Sequence, residues 1–224
     1  MKTMQIPVQE QQRRRNVRFS ERLRRPLNIS VALLALIGIG AVALHYFIPP
    51  ISPGFLIYPL AVGLHVVAAG SWMTLAPFQF VKRIRARWLN YHRWAGRVLV
   101  AVGLIVGLAA LFMAWVTPIA GWEERVIIGF YGLLFLMELG KGFYAIRTGQ
   151  VMLHREWMMR AFALTLAIST VRLIEIPALI IAGTQSLQII YVIANITAFT
   201  SHAIVAEIWI RATRRKRVAV GAPA

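Results

Sequence analysis

Two histidines, His92 and His154, stand in repeated surroundings that could hold a ligand. Each is followed by an arginine and leads into a long apolar stretch, and each lies seven residues after the arginine of an Ile-Arg pair. The two copies are 62 residues apart. Neutral imidazole is a common metal ligand, and positive charge nearby favours the neutral form. The pair therefore predicts either two ligands that face each other near a membrane surface or two interfacial anchors.

The arginines around these histidines support the second interpretation, in which the histidines are interfacial anchors. Four of them are candidates to hold anionic lipid headgroups on the cytoplasmic side: Arg93, Arg97, Arg155 and Arg160. Basic residues just cytoplasmic of a span attract anionic lipids. The repeated spacing also predicts an internal duplication of a helical hairpin, with both copies in the same orientation.

Further ionisable residues lie within apolar stretches, where a charge at the bilayer centre costs at least about 2.5 kcal/mol. Arg172 and Glu175 are three residues apart, which places them on one helix face and able to pair. Glu138 and Lys141 have the same spacing, and the remaining members of the set are His65, His202 and Glu207. Such groups form either a polar pathway or neutralised structural pairs.

These residues must be positioned by membrane-spanning helices, because the apolar runs are long enough to cross a bilayer. A spanning helix needs roughly 20 apolar residues at about 1.5 Å per residue. The predicted spans are residues 28–48, 55–81, 94–116, 126–146, 157–181 and 187–210.

Basic residues give these spans an orientation. Of the 25 Lys and Arg residues, 22 lie in residues 1–25, 82–97, 147–160 and 211–217. Basic loops are retained in the cytoplasm. The expected fold is therefore an all-α polytopic membrane protein with six transmembrane helices and both termini inside. Residues 1–27 form a basic cytoplasmic segment, residues 28–210 the bundle, and residues 211–224 a basic cytoplasmic tail.

Composition excludes several kinds of chemistry. Cysteine is absent, so disulfides, thiolate nucleophiles, iron–sulfur clusters and cysteine-ligated zinc are excluded. All eight acidic residues are Glu. No phosphate-binding glycine loop, no His-Glu-x-x-His motif and no Gly-x-Ser-x-Gly motif occurs. The net charge of +17 is placed as the positive-inside rule requires, so anionic lipid is the expected partner rather than nucleic acid.

Two motifs carry a resemblance to a known family: APFQF with HRWAGR at residues 76–80 and 92–97, and HREWMMR at residues 154–160 leading to Arg172. Over about residues 64–207 the chain resembles a bacterial family of multi-pass membrane proteins catalogued only as a domain of unknown function. The resemblance implies a bacterial inner-membrane location and brings no activity.

A looser likeness, in arrangement only, is to the cytochrome b561-like group of six-helix proteins. Those proteins hold two b haems between histidines on the second and fourth, and third and fifth, spans. The likeness implies that His92 and His154 could ligate one haem b and that His65 could belong to the other. Span 4 has no histidine, so the second haem would need His202 or His45.

Three functions stay open at this stage. The first is a b-type-haem electron carrier that uses the histidines. The second is a small transporter, proton-coupled carrier or lipid-binding subunit that uses the intramembrane Arg, Glu and His residues. The third is a structural subunit of a larger membrane complex.

Overall fold

The computed structural model describes residues 26–41 and 54–221, and every secondary-structure element within them is helical. The helices are α1 Pro26–Ala41, α2 Gly54–Ile57, α3 Pro59–Gln79, α4 Lys82–Arg87, α5 Leu89–Val116, α6 Gly121–Arg147, α7 Val151–Ala182 and α8 Leu187–Gly221. A short 3₁₀ turn, Thr184–Ser186, precedes α8.

Five of these helices, α3, α5, α6, α7 and α8, are long and apolar enough to cross a membrane. They correspond to the five spans predicted between residues 55 and 210. Helix α1 is apolar but shorter. The predicted first span continues into residues 42–48, which lie outside the described residues, as do residues 1–25 and His45.

The helices begin earlier than the apolar runs suggested. Helix α5 starts at Leu89 and α7 at Val151, so His92 and His154 are each the fourth residue of a helix. The expectation that both stand at or just before the helix N-termini is corrected accordingly. Backbone hydrogen bonding does not require apolar side chains, and long basic residues can extend from a helix end toward the headgroups.

Two basic segments are also helical. Residues 82–87, expected as a loop, form α4, since Lys, Arg and Ala favour helix and Ile84 turns partly inward. Helix α8 continues past residue 210 into the segment expected as a tail. There Arg214 forms an ion pair with Glu156 at the start of α7.

The core of the bundle is built around Trp72 of α3, which is 2% exposed. Its ring meets Phe135 of α6 edge-on with centroids 5.6 Å apart, and its indole N–H donates to Thr165 Oγ1 of α7 at 2.9 Å. A Cβ at Gly103 of α5 would lie 2.6 Å from the same ring. The absence of a side chain at Gly103 therefore lets α5 approach Trp72, as small residues commonly do where membrane helices pack.

The remaining long helices pack around this centre. Helix α8 lies against α7 and α6. Helix α1 packs on the other side, where a Cβ at Gly38 would meet the side chains of Met73 and Ser169. Helices α5, α6, α7 and α8 follow one another through short connections and are therefore antiparallel neighbours.

The outer surface is apolar. Large aliphatic side chains are widely exposed, among them Leu60, Ile180 and Ile181, with Ile181 86% exposed. A soluble protein rarely exposes so much contiguous apolar surface, whereas lipid tails cover it without cost.

Candidate functional site

The two repeated histidines lie near each other at one end of the bundle. The imidazoles of His92 and His154 are close enough to interact electrostatically. His154 Nδ1 lies 2.8 Å from the Gly142 carbonyl oxygen of α6, so Nδ1 carries the proton and donates. His92 Nδ1 is buried and has no hydrogen-bond partner among the described residues. Each histidine thus has a different local role despite its equivalent position in a helix.

A third polar side chain lies at the same end. Both amide atoms of Gln79 are buried without a hydrogen-bond partner in the described part of the chain. A Cβ at Gly96 of α5 would lie 3.8 Å from the Gln79 side-chain oxygen. Gly96 is one helical turn after His92, so the unsatisfied atoms of Gln79 and His92 belong to the same α3–α5 interface.

The surroundings of His92 and His154 bear on whether a haem could bind there. A backbone carbonyl that holds Nδ1–H is how ligating histidines are usually oriented, and it leaves Nε2 of His154 for iron. The nearby core, however, is filled by Phe80 and Phe162, whose ring centroids are 5.0 Å apart. The imidazoles can serve as iron ligands, and a porphyrin beside them would have to displace these rings.

The other two histidines are engaged elsewhere. His65 Nδ1 lies 3.1 Å from the Val106 carbonyl oxygen and so joins α3 to α5. His202 Nε2 lies 2.9 Å from Thr170 Oγ1 and joins α8 to α7. The expectation that His65 and His202 hold a second haem stays a prediction.

A polar face runs along α6 and turns toward α8. Glu124, Tyr131 and Glu138 recur every seven residues, a spacing that keeps them on one side of a helix. Glu124 accepts a hydrogen bond from the Tyr191 hydroxyl at 3.1 Å. The Tyr131 hydroxyl lies 2.7 Å from Thr200 Oγ1.

Glu138 is the least satisfied member of this α6 polar face. Its side chain is 5% exposed, and Oε2 has no hydrogen-bond partner among the described residues. It interacts electrostatically with Arg160 of α7 and Glu207 of α8. A buried carboxylate is costly unless a proton or a cation compensates it. Glu138 is therefore a buried carboxyl whose charge needs a proton or a cation to compensate it.

Arg160 and Glu207 form an ion pair beside Glu138. Arg160 donates from Nη2 at 2.8 Å and from Nε at 3.1 Å to the same Glu207 oxygen. Arg211 donates to the other oxygen at 2.8 Å. The guanidinium of Arg160 also lies 4.7 Å from the centre of the Trp157 ring. The expectation that Arg160 holds a lipid headgroup stays a prediction, and the structure adds a carboxylate partner from the chain itself.

The two expected local pairs differ in outcome. Arg172 and Glu175 form an ion pair, with Glu175 buried in the bundle. Lys141 instead lies over the Trp157 ring, with its ammonium nitrogen 4.8 Å from the ring centre, while Glu138 faces inward. The expected pairing of Glu138 with Lys141 is thus corrected, because the exposed Lys141 side chain extends to the Trp157 ring while Glu138 is buried.

The remaining candidate lipid-binding arginines lie on α5 and α7. Arg93 and Arg97 are exposed, and Arg155 is half-buried. Contacts that the sequence did not single out are those of Glu124, Tyr131 and Gln79. The seven-residue spacing along α6 was a readable signal for the first two, whereas nothing local distinguishes Gln79 from a residue that faces lipid.

A bundle of long apolar helices that exposes aliphatic side chains and buries its carboxyls inside is the organisation of a multi-pass membrane protein. The chain belongs to the family described as Predicted membrane protein (DUF2306), whose model matches residues 62–210. The resemblance to a multi-pass family of unknown function is thereby confirmed, while the cytochrome b561 likeness stays a prediction. No curated protein and no solved structure matches the chain.

Proposed function

We propose that this chain is a six-span protein of the bacterial inner membrane with both termini in the cytoplasm. The support is that the described basic clusters share one end of the bundle. Helix α4, the start of α5, the start of α7 and the end of α8 carry them, and the Glu156–Arg214 pair joins two of these ends. The equivalent positions of His92 and His154 within their helices support the proposed duplication.

Reporter fusions provide the test of this topology. Fusions after Gly121 and Gln185 should report the periplasm, and fusions after Arg87 and Gln150 the cytoplasm. A periplasmic reporter such as alkaline phosphatase and a cytoplasmic one such as green fluorescent protein should give opposite patterns at the same sites. An inverted signal at either inner site would overturn the orientation.

Within this topology we propose that the chain moves protons across the membrane along the interface of α6 with α8. The observation that carries the proposal is that every member of the α6 polar face interacts with α8. Glu124 bonds Tyr191, Tyr131 bonds Thr200, and Glu138 interacts with Glu207. Chains of Asp, Glu and His in membranes commonly serve as proton relays.

The residues along this proton path have distinct roles in the proposal. Glu124 lies at the outer end, and Glu138 lies two seven-residue steps further in, about 21 Å along the helix. The Arg160–Glu207 pair lies beside Glu138 and would exchange its charge interactions with the proton that Glu138 carries. Steps of about 10 Å exceed a hydrogen bond, so water admitted between α6 and α8 would complete the path. Glu138 would take up and release the proton, because its Oε2 has no competing partner in the described structure.

Proton flux into liposomes tests this proposal. The full chain would be reconstituted with a pH-sensitive dye inside, and a potassium gradient with valinomycin would drive proton entry. We expect the wild-type chain to acidify the lumen and Glu138→Gln to slow that flux by about tenfold or more. The matched control is Glu123→Gln, because Glu123 is exposed and contacts only the Gln188 amide in the hydrogen bonds of the described residues.

Each outcome of the flux assay is decisive. Wild-type flux no faster than that of protein-free liposomes would refute proton movement. Wild-type flux that Glu138→Gln leaves unchanged would show that protons follow another route. Size-exclusion chromatography of both variants in detergent checks that the bundle is intact.

A second proposal is that His92 and His154 hold one haem b, which would supply one-electron transfer when bound. The specific observation in its favour is the Gly142 carbonyl that fixes His154 through Nδ1. It requires Phe80 and Phe162 to give way. The test is an absorption spectrum of the protein purified from haem-replete cells. A b-type spectrum lost in the His92→Ala, His154→Ala double variant would support the pair, whereas no haem in the wild type would remove the proposal.

A further inference from the structure

A groove lies on the surface where α3 ends, α4 crosses and α5 begins. Its lining is apolar and aromatic: Leu75, Phe78, Ile84, Trp88 and Tyr91. Its volume is about 340 Å³. The rings at its rim are well exposed, with Trp88 62% and Phe78 48%. We refer to this surface as the α4 groove.

A second hollow of about 240 Å³ continues from the α4 groove through the shared residues Ile84 and Trp88. This hollow adds two guanidinium groups, those of Arg83 and Arg87. None of the ion pairs formed among the described residues involves either arginine. An apolar trough therefore ends beside two cations that no described carboxylate neutralises.

We propose that the α4 groove binds one anionic phospholipid, with an acyl chain along Leu75, Phe78 and Trp88 and the phosphate between Arg83 and Arg87. Charge complementarity selects this occupant, because a trough that is apolar at one end and doubly cationic at the other matches a lipid with a negative headgroup. Trp and Tyr suit this depth, since their rings combine an apolar body with a polar tip.

The local fold explains why the site exists. Helix α4 is separated from α3 by a turn at Phe80 and Val81 and from α5 by a single residue, Trp88. This break turns α4 away from the helix it follows and leaves a gap at the helix ends that no described segment fills. This site does not include the arginines first expected to hold lipid. Arg83 and Arg87 lie next to an apolar groove, whereas Arg160 forms an ion pair with Glu207.

Native mass spectrometry of the full chain in a mild detergent provides the test. Phosphatidylglycerol and phosphatidylcholine with identical acyl chains would be titrated separately. Two cations at the headgroup lead us to expect that the Arg83→Gln, Arg87→Gln double variant weakens phosphatidylglycerol binding by about 10- to 30-fold. Binding of phosphatidylcholine should be weaker in the wild type and should change little in the variant.

The matched control removes the same charge from α5. The Arg93→Gln, Arg97→Gln double variant changes two exposed arginines that do not line the groove. Arg93 and Arg97 were the earlier candidates for headgroup binding, so this variant compares the two assignments. If the α4 groove holds the lipid, phosphatidylglycerol affinity should stay within about twofold of wild type. An equal loss in both double variants would mean that lipid is held by the diffuse charge of the whole basic surface and would overturn the site.

A third variant tests the apolar part of the site. Trp88→Ala should weaken both lipids, because it removes the ring shared by the two hollows. Unchanged binding of phosphatidylglycerol in the arginine double variant, or equal wild-type affinity for the two lipids, would refute the proposal. The lipid site stands apart from the proton path, so a negative flux assay leaves it untouched.

Discussion

Replacing Trp72 with alanine is expected to lower the free energy of unfolding of the bundle by about 3–5 kcal/mol, the usual cost of truncating a buried aromatic side chain. The expected loss is large because the Trp72 ring lies where α3, α5, α6 and α7 meet, where it contacts Phe135 edge-on. The substitution would also remove the donor to Thr165 Oγ1. Gly103 cannot fill the resulting cavity, because it has no side chain.

Unfolding of the purified chain in detergent, followed by circular dichroism during denaturant titration, measures this loss. Trp94→Ala is the matched control, since Trp94 is 64% exposed and should change the free energy of unfolding by no more than about 0.5 kcal/mol. Equal losses in both variants would contradict the assignment of Trp72 to a core shared by four helices.

Replacing Glu124 with alanine is the second change with a large expected effect. The Glu124 carboxylate accepts hydrogen bonds from the backbone N–H groups of Ile119 and Ala120 and from the Tyr191 hydroxyl. Alanine leaves three donors without this acceptor in a buried place. At about 1–3 kcal/mol for each unsatisfied group, we expect a loss of about 3 kcal/mol or more in the free energy of unfolding.

Glu123 provides an adjacent control for this prediction. It is exposed, and among the described residues its one hydrogen bond is from the Gln188 amide at 3.3 Å, so Glu123→Ala should cost no more than about 0.5 kcal/mol. Hydrogen exchange offers a second measurement, because the Ile119 and Ala120 amides should exchange faster in Glu124→Ala alone. Similar protection in both variants would show that another group holds the turn before α6.

Hydropathy predicted where the long helices lie but not where they end. An apolar run reports only the part of a helix that meets hydrocarbon, whereas backbone hydrogen bonds continue into basic segments. Helix α4 and the early start of α5 and α7 were missed for this reason. The family resemblance, which rests on local motifs, was correct because such motifs need no knowledge of tertiary contacts.

In the candidate site, contacts between residues close in the sequence could be predicted, and contacts between distant residues could not. The Arg172–Glu175 pair spans three residues and could be read from spacing. The partner of Arg160 is 47 residues away on α8, so nothing near Arg160 in the sequence indicates it. The α6 polar face could be predicted in part. Its seven-residue spacing is visible in the sequence, whereas the residues on α8 that contact it are not.

The ion pairs within and between helices also differ in when they can form during biogenesis. Arg172 and Glu175 belong to one helix, so the countercharge enters the bilayer together with the charge that it neutralises. Arg160 and Glu156 pair with Glu207 and Arg214 on α8, which leaves the ribosome after α7. Both residues lie in the first turns of α7, where interfacial water can solvate them until then. The charge of Arg172 is thus neutralised before insertion, and the charges of Arg160 and Glu156 are neutralised only after α8 has been synthesised.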